Sequence, residues 1–369
     1  MQKSRNIDSP GLFIIVFLIV FLLAAGCIAS HNADNSSFAT TGTHSVSNLC
    51  MNANSTWFER IDQDSMVLPD RSIVIIGGGE ESNGFLKGVW RSTDDGATWM
   101  LMSACPAWAG DSVDTSVVLP DGKIIVFGYN INNLSEPDYF FEVWGSVDEG
   151  ATWTLDTAQA GQSSRSLGQS VVALPDGSIV SMGSYNINFA AGRLGIANIY
   201  YNDIWRSTDQ GATWTEMNAS AGWTPRTGAS SVALPDGSIV VMGGNRQDNG
   251  YSNDIWRSTD QGATWTEINA SAGWTPRTGA SSVALLDGSI VVMGGIDGYG
   301  HGLNDVWRST DNGVTWMEQT SHAGWSARYS ATSVALTDGS IVLIGGTGDH
   351  DVWRSTDEGA TWTEMNASA

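Results

Sequence analysis

Four arginines stand at matching points along the chain: Arg60, Arg226, Arg277 and Arg328. A guanidinium offers five donors in a planar fork, so these are candidates for contact with a ligand. Five tryptophans precede such points: Trp57, Trp108, Trp223, Trp274 and Trp325. Tyr251 and Tyr299 fall in variable stretches, as do Tyr129, Tyr139, Phe140, Phe141, Tyr185, Tyr200 and Tyr201. Exposed aromatic rings beside polar groups suit stacking on sugars or gripping a protein. His301, His322 and His350 form a third set, with Asp349 and Asp351 adjacent to the last. Imidazole and carboxylate together can hold a metal, but these three share no fixed spacing. No Ser/His/Asp order and no phosphate-binding loop occurs, and no cofactor is expected.

A repeat must position these groups. Trp90, Trp144, Trp205, Trp256, Trp307 and Trp353 are separated by 54, 61, 51, 51 and 46 residues. A period near 50 signals a propeller or solenoid. In the fourth unit, 228–234 reads as a first strand and Pro235-Asp236-Gly237 as a tight turn. Ile239-Val240-Val241-Met242 is a continuous apolar run, as for a strand buried on both faces. Gly243-Gly244 ends it, and a variable loop follows. Asp254-Ile255-Trp256-Arg257 reads as a third strand and Thr264-Trp265-Thr266-Glu267 as a fourth.

Four antiparallel strands, repeated six times, predict an all-β fold: a six-bladed β-propeller over residues 52–369. The units begin near Arg60, Asp111, Ser166, Arg226, Arg277 and Arg328. The chain starts and stops at one point of the repeat, so blade 1 should pack on blade 6 without strand exchange. The 1–2 and 3–4 turns share one face. The 2–3 loops and blade-to-blade loops share the other, where variation concentrates, as in 183–203. Binding belongs on that loop face, because function sits where loops vary on a rigid scaffold. Duplicated blades carry little ligand information, and Asn202-Asp203-Ile204-Trp205 and Asn253-Asp254-Ile255-Trp256 are identical.

The doublets Gly77-Gly78, Gly243-Gly244, Gly294-Gly295 and Gly345-Gly346, each before a variable loop and spaced aromatics, resemble the kelch motif. Blades 2 and 3 depart from it, with Gly128-Tyr129 and Gly183-Ser184. A second motif, Ser-x-Asp-x-Gly-x-Thr-Trp, recurs six times, as in Ser92 to Trp99. It is similar to the Asp-box of sialidases and other propellers, which implies scaffold, since those boxes lie away from the active site. Turn chemistry already explains Asp260 and Gly262. The sialidase resemblance implies three arginines, a Tyr/Glu pair and an Asp around the funnel. The funnel arginines are candidates, but they recur by repetition, and catalytic groups usually occupy unique positions. A galactose-oxidase-like copper site would need a Tyr/His set that is not evident.

The first residues supply an address. Lys3 and Arg5 precede an apolar run at 12–25, too short to span a bilayer as a helix. This reads as a signal peptide over 1–26. Leu23-Ala24-Ala25-Gly26-Cys27 resembles a lipoprotein signal, with Ala24 where Leu is commoner; the resemblance implies acylation of Cys27. Residues 27–51 read as a flexible tether. An exported chain anchored at the cell surface follows, in which Cys50 and Cys105 either pair or stay as two buried free thiols.

Charge narrows the partners. Thirty-nine acids against 17 Lys and Arg give a net charge of −22, which excludes binding driven by phosphate neutralisation. The leading expectation is a monomeric, non-catalytic surface propeller binding a protein or glycan. The alternatives are a glycan-processing hydrolase or lyase, and a purely architectural envelope protein. Two structural readings compete with the binding one. The five tryptophans can pack between blades, as Trp usually does. The arginines can bridge to Asp203, Asp254, Asp305 or Asp351 on the same face.

Overall fold

The run Ile239–Met242 contains no polar residue, and it forms a strand buried at every position. Period-two alternation sends its side chains to opposite faces. Ile239 and Val241 pack with Val172, Val180 and Ile204 of blade 3. Val240 and Met242 pack with Ile290 and Val292 of blade 5. A sheet apolar on both faces must be sandwiched, so blades stack face to face around a ring.

The structure is a computed structural model describing residues 61–80, 84–85, 88–108, 112–129, 141–158, 170–188, 197–248 and 250–367. It shows an all-β fold with six antiparallel blades in the order first, second, third, fourth strand. Blade 1 carries one extra short strand, Gly84–Phe85. Blade 4 is representative, with strands Ser230–Ala233, Ile239–Met242, Ile255–Ser258 and Thr266–Asn269. The signal segment, the tether, Cys27, Cys50, Trp57, Arg60, Tyr139 and Phe140 lie outside the described residues. Among the described residues, no helix is long and apolar enough to cross a membrane. Cys105 is disulfide-bonded, and its partner lies outside them.

Three details differ from the sequence reading. The fourth strand starts at Thr266, because Thr264 is held in the preceding turn by Asp260. The first strand is split: Arg226–Thr227 forms its own ladder with Asn245–Arg246, interrupted at Gly228. The expected loop over 183–203 is largely a long hairpin, Ile179–Asn188 against Ala197–Ser207, which pairs Tyr185 with Tyr200.

The ring closes without strand exchange. Ile73 and Ile75 of blade 1 pack with Val334, Leu336, Val342 and Ile344 of blade 6. Gln63 Nε2 donates to the Ile344 carbonyl at 2.8 Å, and Asn366 Nδ2 to the Ala97 carbonyl at 3.1 Å. Around the channel, hydroxyls of neighbouring first strands bond in a belt: Ser281 with Ser333 at 2.6 Å, and Ser65 with Thr332 at 2.5 Å. Val171 stands in the belt position that Ser231 and Ser282 fill in blades 4 and 5.

Candidate functional site

The short-turn face is fully explained as scaffold. In blade 4, Asp260 accepts the Thr264 N–H at 2.8 Å, the Thr264 hydroxyl at 2.6 Å and the Ser258 hydroxyl at 2.8 Å. Ser258 Oγ in turn accepts the Gly262 N–H at 2.9 Å. Gln261 and Gly262 both take positive φ, 60° and 94°. Trp265 Nε1 closes the turn on the Gly262 carbonyl at 3.0 Å. Burial pushes the Asp260 carboxyl up, and these hydrogen bonds outweigh it and leave it lowered. The same bonds recur around Asp94, Asp148, Asp209, Asp311 and Asp357.

The candidate tryptophans are interior groups. Trp108, Trp223, Trp274 and Trp325 are 1–3% exposed. Trp274 meets the turn ring of Trp316 edge-on at 4.3 Å and that of Trp307 at 6.3 Å. Trp223 does the same with Trp265 at 4.7 Å and Trp256 at 5.8 Å. Such contacts between blades leave no ring face for a ligand, so the binding expectation for these four is corrected to packing.

The candidate arginines are ion-paired inside their own blades. Arg277 donates to Asp305 through two bonds of 2.7 Å and to the Gly294 carbonyl at 2.9 Å. Arg226 makes the same fork with Asp254 at 2.5 and 2.8 Å, and Arg328 with Asp351 at 2.5 and 3.1 Å. All three are buried. Burial raises the Asp254 carboxyl, but Arg226, Trp256 and Ser252 together outweigh this and leave it lowered. Each Asp also accepts the indole N–H two residues on, as Trp256 to Asp254 at 2.8 Å. The expectation of funnel arginines open to a ligand is therefore corrected for these three. Asp203 serves Trp205 at 3.0 Å, in a blade whose arginine position is Ser166.

The glycine doublet brings the pieces together. Gly243 has φ 63°, and a Cβ there would sit 2.9 Å from the Arg277 carbonyl oxygen. Only glycine lets the blade 4 loop reach blade 5. Gly244 N–H then donates to Arg277 O at 2.9 Å, and Arg277 N–H to Ser252 O at 3.0 Å. Tyr251, next to Ser252, is thereby fixed at the funnel mouth.

The loop aromatics do converge there. Burial raises the half-buried Tyr251 phenol, and Tyr200, Asp297 and Tyr329 add to the rise through their charges. Interactions of this kind fade with distance, so residues from blades 3, 4, 5 and 6 share one neighbourhood. Tyr200 stands 5.9 Å from Tyr185 across the long hairpin. Asp297 shapes the blade 5 loop by accepting the N–H groups of Tyr299 at 2.9 Å and His301 at 2.8 Å. Tyr299 is 80% exposed at its tip. Tyr129 and Phe141 lie in the blade 2 strands Ile124–Tyr129 and Phe141–Ser146.

The sequence reading missed Tyr329, Asp297 and Asp62. Tyr329 follows Arg328 where Thr227 and Thr278 follow Arg226 and Arg277. Asp62 stands where blades 4 and 5 have Gly228 and Gly279, and its side chain bonds Ser330, beside Tyr329. It is open to water yet walled by protein, and that enclosure raises its carboxyl while Ser330 pulls it back. The signal was available: all three break the repeat.

The histidines do not assemble. His301 Nδ1 lies 3.2 Å from Asp297, His322 contacts Ser321 at 3.1 Å, and His350 is exposed elsewhere. Among the described residues, no three metal-ligating side chains come together.

Comparison with known proteins fixes the family. Residues 178–369, just over half of the chain, match the KLHDC2/KLHL20/DRC7 Kelch-repeats domain. The chain belongs to this Kelch-repeat family. Among curated proteins, this Kelch-repeat chain is similar to a xyloglucanase of a Paenibacillus species, 27% identical over 293 residues, covering 70% of the chain and 26% of the xyloglucanase. It is also similar to a sialidase of Paraclostridium sordellii, 26% identical over 227 residues, covering 54% of the chain and 55% of the sialidase. The chain thus spans about half the length of that sialidase and about a quarter of the xyloglucanase. Among solved structures, YjhT overlaps 85% of the Kelch-repeat chain and 99% of its own, with TM-score 0.63 and 15% identity. The Fusarium graminearum α-L-arabinofuranosidase Arb93A overlaps 86% and 96%, with TM-score 0.56 and 15% identity. At these identities the structural likeness establishes the fold.

Proposed function

We propose that the protein is an exported, cell-surface propeller that binds glycan chains at its loop-face mouth without cleaving them. The convergence of Tyr200, Tyr251 and Tyr329 with Asp297 at that mouth carries this reading. Phenol rings stack on the apolar faces of sugars, and their hydroxyls reach sugar hydroxyls at the ring edge. Blades 4 and 5 agree through their third strands and turns and differ in these loops, which supports a ligand role for the loops. The relatives named as a xyloglucanase and a sialidase support a glycan over a protein partner. The apolar run at 12–25 and Cys27 would hold the chain at the membrane.

A second reading, hydrolysis, is favoured by the same relatives' names. Against it, the described repeated groups are engaged by the blades: the arginines by carboxylates and the turn aspartates by backbone. A glycan array probed with the purified chain tests the binding proposal. Binding to a coherent set of glycans, lost in Tyr251→Ala and kept in Trp274→Phe, supports it. Release of reducing ends from the bound glycan would support hydrolysis instead.

A further inference from the structure

We propose that the mouth selects neutral glycans and rejects anionic ones, with Asp62 as the carboxylate that accepts sugar hydroxyls. This rests on the glycan-binding reading above and narrows it.

Cation supply is the first ground. All eleven arginines and lysines among the described residues are ion-paired to carboxylates. Arg226, Arg277 and Arg328 are also 1–3% exposed. To reach any of these three, an anionic sugar would have to displace a bidentate carboxylate from a buried guanidinium. That would leave the displaced carboxylate unpaired in a low-dielectric setting. Arg246, at the blade 4 position that Asp297 takes in blade 5, is partly exposed, and Asp248 at 3.0 Å balances its charge locally.

The sign of the mouth is the second ground. Asp62 bonds Ser330, beside Tyr329, and Asp297 acts on Tyr251. Backbone N–H groups and His301 hold Asp297 below its ordinary range despite burial, so it is ionised at neutral pH. Neighbouring like charge disfavours a carboxylated ligand, and the low-dielectric channel wall strengthens that repulsion. The whole chain, at −22, adds to it.

A neutral sugar meets a different surface. Its hydroxyls can donate to carboxylate oxygens without setting like charges against each other. Asp62 suits this role because it is exposed in the channel and, among the described residues, breaks the small-residue pattern of the first strands. Asp297 is 7% exposed, with its acceptors taken by its own loop, so it acts through charge rather than contact.

Calorimetric titration of the full chain, held in a detergent without a sugar headgroup, tests this. The probes are lactose, arabinotriose and xyloglucan heptasaccharide against 3′-sialyllactose and trigalacturonate. The proposal expects neutral probes to bind and the anionic ones to bind at least about tenfold more weakly. Asp62→Asn, nearly the same in shape, should weaken the neutral probes and narrow the gap. Circular dichroism should stay unchanged, so a folding defect is distinguished from lost contact. Tighter binding of 3′-sialyllactose than of lactose overturns the selectivity and leaves glycan binding standing. An unchanged gap in Asp62→Asn overturns the role of Asp62. Absence of heat with every probe overturns glycan binding itself.

Discussion

Arg277 and Asp305 lie 28 residues apart on one blade and hold each other through two hydrogen bonds of 2.7 Å, with the guanidinium 2% exposed. The pair ties the start of the first strand of blade 5 to the start of its third and explains why an arginine recurs at this point. A charge so placed is scaffold.

Breaking that pair from one side should be costly. Asp305→Ala leaves a buried guanidinium uncompensated and should lower stability by about 3–5 kcal/mol. The double variant Arg277→Met, Asp305→Leu should lose much less, because no charge is stranded. Urea unfolding midpoints of the two variants check this, and equal losses would contradict it.

Trp274 should matter for stability and not for ligand. Trp274→Ala removes a ring 3% exposed between Trp307 and Trp316 and should cost about 3–5 kcal/mol. Binding per folded molecule should be unchanged. Thermal melts and titration on the same preparation separate the two effects; lost affinity in a folded Trp274→Phe variant would place this ring in the site.

Two sets of aspartates should pull the acid stability curve in opposite directions. The six turn aspartates, Asp260 among them, are held below their ordinary range. They contribute stability above the unfolded value near ~4 that is lost as pH falls through their folded values. Asp64, in the channel belt, is raised by burial despite bonds from Ser116, Ser65 and Thr115. The folded state therefore binds its proton first, and its contribution to stability weakens as pH rises through the raised value. Asp260→Asn should flatten the loss of stability below about pH 4. Asp64→Asn should instead raise stability at neutral pH relative to acid. Unfolding free energies across pH 3–7 check both signs.

Most of the fold was readable because each blade repeats one solution. The run Ile239–Met242, the turn around Asp260 and the doublet at Gly243 recur with fixed spacing, and each has a local physical cause. Ring closure on blade 6 followed from where the repeat begins and ends. The site was less legible for the same reason. Repetition drew attention to Arg277 and Trp274, whose fates depend on contacts between neighbouring strands and blades. Of the candidates, Tyr251 and Tyr299 stay on the loop face, half-buried and exposed. Tyr329, Asp297 and Asp62 gain meaning only when the ring brings blades 1, 3, 4, 5 and 6 to one mouth. The long hairpin, Ile179–Asn188 against Ala197–Ser207, was missed because it stands where the other blades carry a variable loop, although Ser184-Tyr185-Asn186-Ile187-Asn188 alternates polar and apolar residues.

Tyr251 should lose affinity in graded fashion. Tyr251→Phe keeps the stacking face and drops the hydroxyl, a loss of about 0.5–1.5 kcal/mol if that hydroxyl bonds the sugar. Tyr251→Ala should lose more, about tenfold or beyond. Tyr299→Ala, at an exposed tip, should have the smaller effect. Titration of each with the tightest array glycan checks the order.

The central claim is that the loop-face mouth takes a glycan. Amide hydrogen exchange of the full chain, with and without xyloglucan heptasaccharide, tests it most directly. The account predicts added protection in 197–203, 245–252, 296–302 and 328–330, and none in the turns around Asp94, Asp260 or Asp357. Protection confined to those turns, or absent while the glycan is shown to bind, would contradict it.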